Sequence, residues 1–575
     1  MSKKRTRKAP QPKAPPPPPE TPWVERLPWQ IGALAVLVLL AYVNSLDGKW
    51  VYDDENIFRD SSVTGSGFGR GVFALTQARP LTFLTFHWNF LVNAGHDPAS
   101  WHAVNILLHA ANCALLLLVA RRHLSSGTAF VAAALYAVHP LNTEAVSYVY
   151  QRSTALATLF ALLSFLLFLK EQYAWSVGAF GLSLLCKEET IALPVFLLLY
   201  DLVYRRRRPL VGYYAAMLGL VGLAMAHALY VWSRPTPLRT IGYRVKGVTA
   251  LTFALTEPRV IWAYIRLFLF PTGLNVDHDV PLSHGLLSPA STLPALLTLA
   301  ALVGLLGYLA WRQNQLAFWG LGFFILLAPT SSIVPVRDVM FEHRVYFPST
   351  CLVIAAAGLL ALMPRRALAP AVGAILIVLT ALTIARNRVW QDGPSLWTDA
   401  IQKSPRKSYP YATMGRLLAK KDPRSARQYF ERAATLEPDS PDIQNDLGVV
   451  LMMTRDGPGA VPHLQRAVVL EPDKPDFHTD LGVALLLVQD NPGALEQLQR
   501  SIALGGANPD NLTYLGEAYG RLQQLDQAVE TYRHALTMDP CMGRARSGLV
   551  RALNAQGKGL EAAAVSQTPP GCRSR

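Results

Sequence analysis

Up to about residue 386 the chain is a succession of apolar runs separated by short polar breaks; beyond it the apolar residues thin into a helical rhythm. Runs at 29–43, 103–120, 124–138, 152–169, 173–186, 190–204, 211–232, 291–311, 316–335, 348–364 and 367–385 each predict a membrane-crossing helix. The runs at 124–138 and 173–186 are short for a crossing and need neighbours or a thin bilayer. Residues 251–270 differ, because Glu257, Pro258, Arg259 and Arg266 interrupt the run and predict an interfacial or re-entrant helix. The expectation is therefore about eleven crossings at about 17–25 residues each. An odd number sends the two ends of this region to opposite faces.

The later part of the chain repeats. Leu447-Gly448, Leu481-Gly482 and Leu515-Gly516 recur at a spacing of 34, with Ala433, Ala467 and Ala535 in phase and Pro438, Pro472 and Pro540 closing the units. An earlier copy fits Met414-Gly415 and a degenerate last copy fits Gly548-Leu549. This is the tetratricopeptide pattern, whose stacked helix pairs present a concave face to protein segments. The expected fold class is all-α: a polytopic membrane helix bundle over 29–390, then a tetratricopeptide α-solenoid over 391–566. A basic Pro-rich tail (1–28) and a short tail (567–575) flank them, and neither can build a core.

Composition agrees. Of 575 residues 51% are hydrophobic and only 16% charged, against about 25% in soluble proteins. The net charge of +15 does not point to nucleic acid, because its distribution is that of a membrane protein. Basic residues gather in the N-terminal tail and in short loops at Arg121-Arg122, 205–208, Arg312 and Arg365-Arg366, as cytoplasmic ends do. No small-residue cleavage site follows the first run, so that helix is expected to be retained, with the tail cytoplasmic. The loops at 45–100, 139–150, 187–190 and 341–344 then share the outer face. Should 251–270 cross instead, the last part of the chain becomes cytoplasmic, and Arg234, Arg239, Arg244 and Lys246 favour that alternative. The odd count is preferred because it brings Phe341-Glu342-His343-Arg344 to the face of Asp53 and Asp54. Cys113, Cys186 and Cys351 lie in apolar runs as small buried hydrophobes, while Cys541 and Cys572 pair only if their compartment is oxidising.

Candidate chemistry begins at Trp50-Val51-Tyr52-Asp53-Asp54-Glu55, just beyond the first run. Two readings stand level: the aspartates cap a short surface helix, or one is a general base at the membrane face. Polar residues at the ends of apolar spans are costly and invite a functional reading. They occur at 101–109, His139-Pro140 with Glu144, Gln151-Arg152, Lys187-Glu188, and Glu342-His343-Arg344. The structural alternative for each is a cap or an ion pair between helices. His102, Asn105 and His109 fall at helical spacing, which favours helix–helix hydrogen bonds. No set has dedicated metal spacing; Asp277-His278-Asp279 comes nearest.

Tyr52-Asp53-Asp54, Arg79-Pro80-Leu81-Thr82, the 101–109 stretch, His139-Pro140 with Glu144, Lys187-Glu188 and the 342–349 stretch occur in one order. Together with the repeats, that order resembles the transmembrane and tetratricopeptide-repeat-containing mannosyltransferases and their bacterial relatives, of the GT-C type. The resemblance covers nearly the whole chain from Trp29. It implies an inverting transfer of a mannose-like hexose from a polyprenyl-phosphate carrier to a Ser or Thr hydroxyl, at the outer face of a bacterial inner membrane. It implies further that Asp53 or Asp54 is the base, and that Arg79, Arg152, Lys187 and Arg344 are the cations available to the lipid phosphate. Glu144, Glu188, Glu342 and His343 would orient these groups or the acceptor. The repeats would hold the acceptor polypeptide. No cofactor is firmly implied, and a single-phosphate donor makes a divalent metal less necessary. A glycan or lipid acceptor, or a non-catalytic scaffold, are the competing readings.

Overall fold

A computed structural model describes residues 25–64, 79–92, 97–233, 248–331, 338–567 and 572. Most of the expected N-terminal tail, most of the expected C-terminal tail, and Arg234, Arg239, Arg244 and Lys246 lie outside the described residues. Among the described residues the chain is helical, and its one β pairing is an isolated bridge between Gly285 and Ser288. It divides into two compact units: one of 1–274 and 281–391, and one of 392–575 with 275–280.

The first unit is a helix bundle. Its principal helices are α1 (Leu27–Tyr42), α2 (Asp54–Arg59), α3 (Pro80–Val92), α4 (Pro98–Ala120), α5 (Ser126–Val138), α6 (Arg152–Leu169), α7 (Tyr173–Cys186) and α8 (Leu193–Leu199). They continue as α9 (Val211–Ser233), α10 (Ala250–Leu269), α11 (Thr292–Trp311), α12 (Gln315–Leu327), α13 (Ser349–Leu360) and α14 (Arg365–Val389). Among the described residues six spans are long and apolar enough to cross a membrane: Leu27–Asp47, Pro98–Ala120, Val149–Leu169, Val211–Tyr230, Thr292–Trp311 and Arg365–Val389. Helices α5, α7, α12 and α13 are apolar but shorter. Their small residues allow close approach: Ala129, Ala132, Ala133, Ala134 and Ala137 of α5 are all fully covered. Such packing suits helices that have no hydrophobic drive to pair in lipid. The remaining run, 190–204, is α8 continued by a π turn, Tyr200–Tyr204.

Contacts at the helix ends sort the bundle into two faces. On one, Gln30 bonds Ser126 and Arg121, His123 bonds Tyr204, Arg205 bonds the Leu169 carbonyl, and Gln313 bonds the Val203 carbonyl. On the other, Ser45 and Asn387 meet Ser147, Asp54 meets Tyr150, Lys187 meets Gln151, and His343 meets Glu144. Gln30 and Asn387 thus lie on opposite faces. Among the described residues helix α10 takes side-chain hydrogen-bond partners from the second face. Trp262 donates to the Ala295 carbonyl in the first turn of α11, Tyr264 to the Phe341 carbonyl, and the Phe268 carbonyl is bound by His139.

The second unit stacks antiparallel helix pairs from Ser408–Ala419 with Pro423–Leu436 to Gly543–Ala555 with Gly559–Ser566. Each repeat reuses the same local rules. Proline stands at the start of the helices Pro441–Met453, Pro475–Leu487 and Pro509–Arg521, where its missing N–H costs nothing. Asp422, Asp456 and Asp490 cap the second helix of three units. The Gly of each Leu-Gly pair is where that helix crosses closest: a Cβ on Gly448 would sit 2.4 Å from Leu464 Cγ. Asp277 and Asp279, the nearest thing to a metal set, are instead paired with Lys407 and Arg406. Among the described residues no group of three or more His, Cys, Asp or Glu is placed to hold a metal. Cys541 and Cys572 are disulfide-bonded.

Candidate active site

The acidic loop follows α1 through a short 3-10 turn, Val43–Asp47. Tyr52 has φ +56, the left-handed region in which a bulky residue is strained, and this turns Asp53 and Asp54 back toward the bundle. Asp53 stands at the N-terminal boundary of α2 but makes no side-chain cap, so the capping reading does not describe it. Its carboxylate accepts from Tyr148 Oη (3.2 Å) and Asn56 Nδ2 (3.1 Å) and is half-buried. Asp54 is completely covered and accepts the backbone N–H groups of Val51 (3.1 Å) and Tyr150 (2.9 Å). Burial raises the pKa of both. Asp54 is pushed up to about 8, against the opposing pull of those two N–H groups, and Asp53 is raised as well, against the donors of Tyr148 and Asn56. Trp50 anchors the loop edge-on against Phe58 and Trp101.

One segment, 139–152, joins this loop to everything else on its face. At its start His139 stacks on Phe268 of α10. Glu144 is buried and takes His343 twice, through the backbone N–H (3.0 Å) and Nδ1 (2.7 Å). Desolvation holds the His343 ring well below its ordinary pKa and hence neutral, and the charges of Lys187, Arg344 and Arg79 act in the same direction. Ser147 donates to Asn387 Oδ1 (3.0 Å), Tyr148 stacks on Trp390, and Gln151 accepts from Lys187 (3.1 Å). The late loop adds Glu342, buried 3.9 Å from the Arg386 guanidinium.

The cations differ in what they have left to offer. Arg152 is fully covered; Asn105, Asn89 and the Trp101 and Thr85 carbonyls take its donors, and Phe86 lies under its guanidinium at 4.8 Å. It was expected beside substrate and is instead a strut. Lys187 is buried among Gln151, Thr154 and Glu189 (2.9 Å), and burial lowers its pKa. Arg344 spends both terminal nitrogens on the Val339 and Asp338 carbonyls at 2.8 Å. Arg79 retains access: its side chain is 21% exposed and its partner Glu188 is 52% exposed, at 3.1 Å. Burial acts to raise the Glu188 carboxyl, but Arg79 overrides it and holds it down at about 2.

The sequence-predicted site residues lie on one face: Asp53 and Asp54; Arg79, Glu188 and Lys187; Glu144, His343, Glu342 and Arg344; and Arg152, enclosed between Asn105 and Asn89. Sequence reasoning missed Tyr148 and Tyr150, which hold the two aspartates, and Arg386, Asn387 and Glu189. It missed Glu257 of α10 as well, which is buried, feels Arg344, and is pushed up to about 7 by desolvation. Its interruption of an apolar run was the available signal. Of the three residues at helical spacing, Asn105 bonds the Val146 carbonyl and His109 bonds Tyr346 Oη (2.7 Å), whereas His102 is buried and makes no such bond among the described residues.

Tetratricopeptide repeat families match residues 417–479 and 512–540. Protein O-mannosyl-transferase Tmtc3 of Drosophila melanogaster is 27% identical over 511 residues, 71% of this chain and 55% of that protein. Tmtc2 of the same organism is 34% identical over 195 residues, 29% of this chain and 21% of that one. TMTC1 of Homo sapiens is 37% identical over 155 residues, 24% of this chain and 18% of that one. The chain therefore spans about half the length of the first relative and about a fifth of the others. Among solved structures, MamA gives a TM-score of 0.25 at 25% identity, covering 27% of this chain and 90% of that one.

Proposed function

Taking the chain as a relative of the TMTC protein O-mannosyl-transferases that carries tetratricopeptide repeats, we propose that it is a membrane glycosyltransferase. It moves a mannose-like hexose from a polyprenyl-phosphate carrier to Ser or Thr hydroxyls of exported polypeptides, and the repeat array holds the acceptor. The observation that carries this reading is that a half-buried carboxylate, Asp53, and a partly exposed arginine, Arg79, both lie within electrostatic reach of Tyr150 on one face of the bundle.

The roles divide by accessibility. Asp53 is the base: held by Tyr148 and Asn56, it accepts the acceptor hydroxyl's proton as that oxygen attacks the anomeric carbon. The bond from that carbon to the phosphate oxygen breaks from the opposite side, so the configuration inverts. The carrier phosphate leaves with the electron pair, and Arg79 meets its charge by exchanging Glu188 for phosphate oxygens. Asp54, with both oxygens committed to backbone N–H groups, positions the loop. The unit's N-terminal end is cytoplasmic in this proposal, and the site face and repeats are outside. The Cys541–Cys572 disulfide supports that side, since such bonds persist in oxidising compartments.

The test is transfer of radiolabelled mannose from polyprenyl-phosphate-mannose to protein in membranes holding the full chain. Asp53→Asn is expected to lower transfer by at least about a hundredfold, as loss of a general base does, at unchanged membrane levels. Transfer at the native rate in that variant, or label appearing only in glycan or lipid, would overturn the proposal.

A further inference from the structure

The face opposite the candidate site holds a second cluster that the proposed reaction leaves unused. Where α8 ends, the π turn Tyr200–Tyr204 leads into the four arginines 205–208, and Arg206 adopts φ +52. Extra-residue turns of this kind are uncommon in helices and recur at functional positions. At their centre is Asp201, 1% exposed. It accepts from Arg207 Nε (2.8 Å) and Tyr214 Oη (2.8 Å) and lies 3.8 Å from Arg205. Arg207 is further tied to Glu171 (2.9 Å) and Tyr173 (2.6 Å), and Arg205 lies over Phe168 at 4.9 Å.

The acids here are consumed in fixing the arginine turn. Arg206 and Arg208 stay exposed. The bonds from His123 to Tyr204 and from Gln313 to Val203 draw exposed Arg122 and Arg312 to the same rim, and exposed Lys170 adjoins the Leu169 carbonyl that binds Arg205. Trp29, Trp175 and Trp311, at helix ends on this face, are 60%, 74% and 71% exposed. Tryptophans so placed mark the headgroup level of a bilayer. A charge that only sets orientation needs no fixed geometry, yet here a buried carboxylate holds the turn in shape.

We propose that the 205–208 turn, with Arg122 and Arg312 beside it, binds the phosphate of an anionic phospholipid in the leaflet bordering this face. Arginine forks suit phosphate oxygens, and basic residues at this depth bind anionic headgroups. The proposal is independent of the glycosyltransferase reading.

The experiment uses the full chain in nanodiscs of phosphatidylcholine doped with phosphatidylglycerol, with lipid retained on extraction counted by native mass spectrometry. The unaltered protein is expected to retain phosphatidylglycerol preferentially. Arg206→Ser with Arg208→Ser should cut that preference roughly 30-fold, taking the usual contribution of a surface arginine. Both residues are exposed, so elution as a single sharp species and an unchanged melting midpoint in phosphatidylcholine serve as the folding control. Arg365→Ser with Arg366→Ser removes the same charge elsewhere on this face and should leave the preference intact. Equal retention of the two lipids by the unaltered protein, or equal loss in both double variants, would overturn the site. Displacement of lipid by millimolar inorganic phosphate would overturn the lipid assignment in favour of a soluble phosphate.

Discussion

Asp53 and Asp54 are neighbours in the chain with different physical situations. One faces partners that donate through side chains and leave it half-open; the other is sealed around two backbone N–H groups. The sealed one carries a prediction. Its folded pKa, about 8, lies above the ordinary carboxyl value because of burial. The folded protein therefore binds this proton more tightly than the unfolded chain does. Its contribution is fully present below the unfolded value and is lost as pH rises toward 8. Asp54→Asn should flatten that loss. Melting midpoints of the native and variant proteins between pH 5 and 8 are expected to converge toward pH 8, and parallel curves would contradict the shift. The opposite reasoning governs rate: Asp53 must be ionised to act, so its raised value moves the acid limb of transfer above the usual carboxylate range.

At the scale of elements, α10 carries the topology. Its partners from Glu257 to Phe268 belong to loops and a helix start on the site face, whereas a crossing helix would trade some of them for partners on the other side. Cysteines placed at Leu251 and Thr272, both exposed, are expected to react with a membrane-impermeant maleimide added from the same side. Labelling from opposite sides would make α10 a crossing. What was legible in the sequence follows the same division. Long apolar runs and arginine-rich breaks announce spans and faces, because each is a local signal set by lipid. The segment 139–152 was visible only as scattered polar residues. Tyr148 looks like any aromatic in an apolar stretch; its role depends on Asp53, which lies 95 residues away. Arg152 misled for the converse reason: a lone arginine at a span end resembles a substrate cation until Asn89 and Asn105 are seen to enclose it.

For the whole molecule, two solvents and two period rules give two units, each with its own failure mode. The solenoid depends on glycine where its helices cross, so Gly448→Val drives a branched side chain into Leu464. Overpacking of that kind costs about 1–3 kcal/mol. In the full chain it should lower the midpoint of the repeat unit's melting and increase proteolysis there, while the helix content of the bundle survives. Simultaneous collapse of both units would show that they do not unfold independently. The bundle depends on closure instead. Asn387 binds the Ala41 carbonyl, Asn44 and Ser147, partners as much as 346 residues earlier. During synthesis the first inserted helix must therefore wait for these partners until the last helix of the bundle, α14, emerges from the ribosome. A chain stopped short of Asn387 would leave those groups without these partners, a defect by which cellular surveillance could distinguish finished protein from fragments.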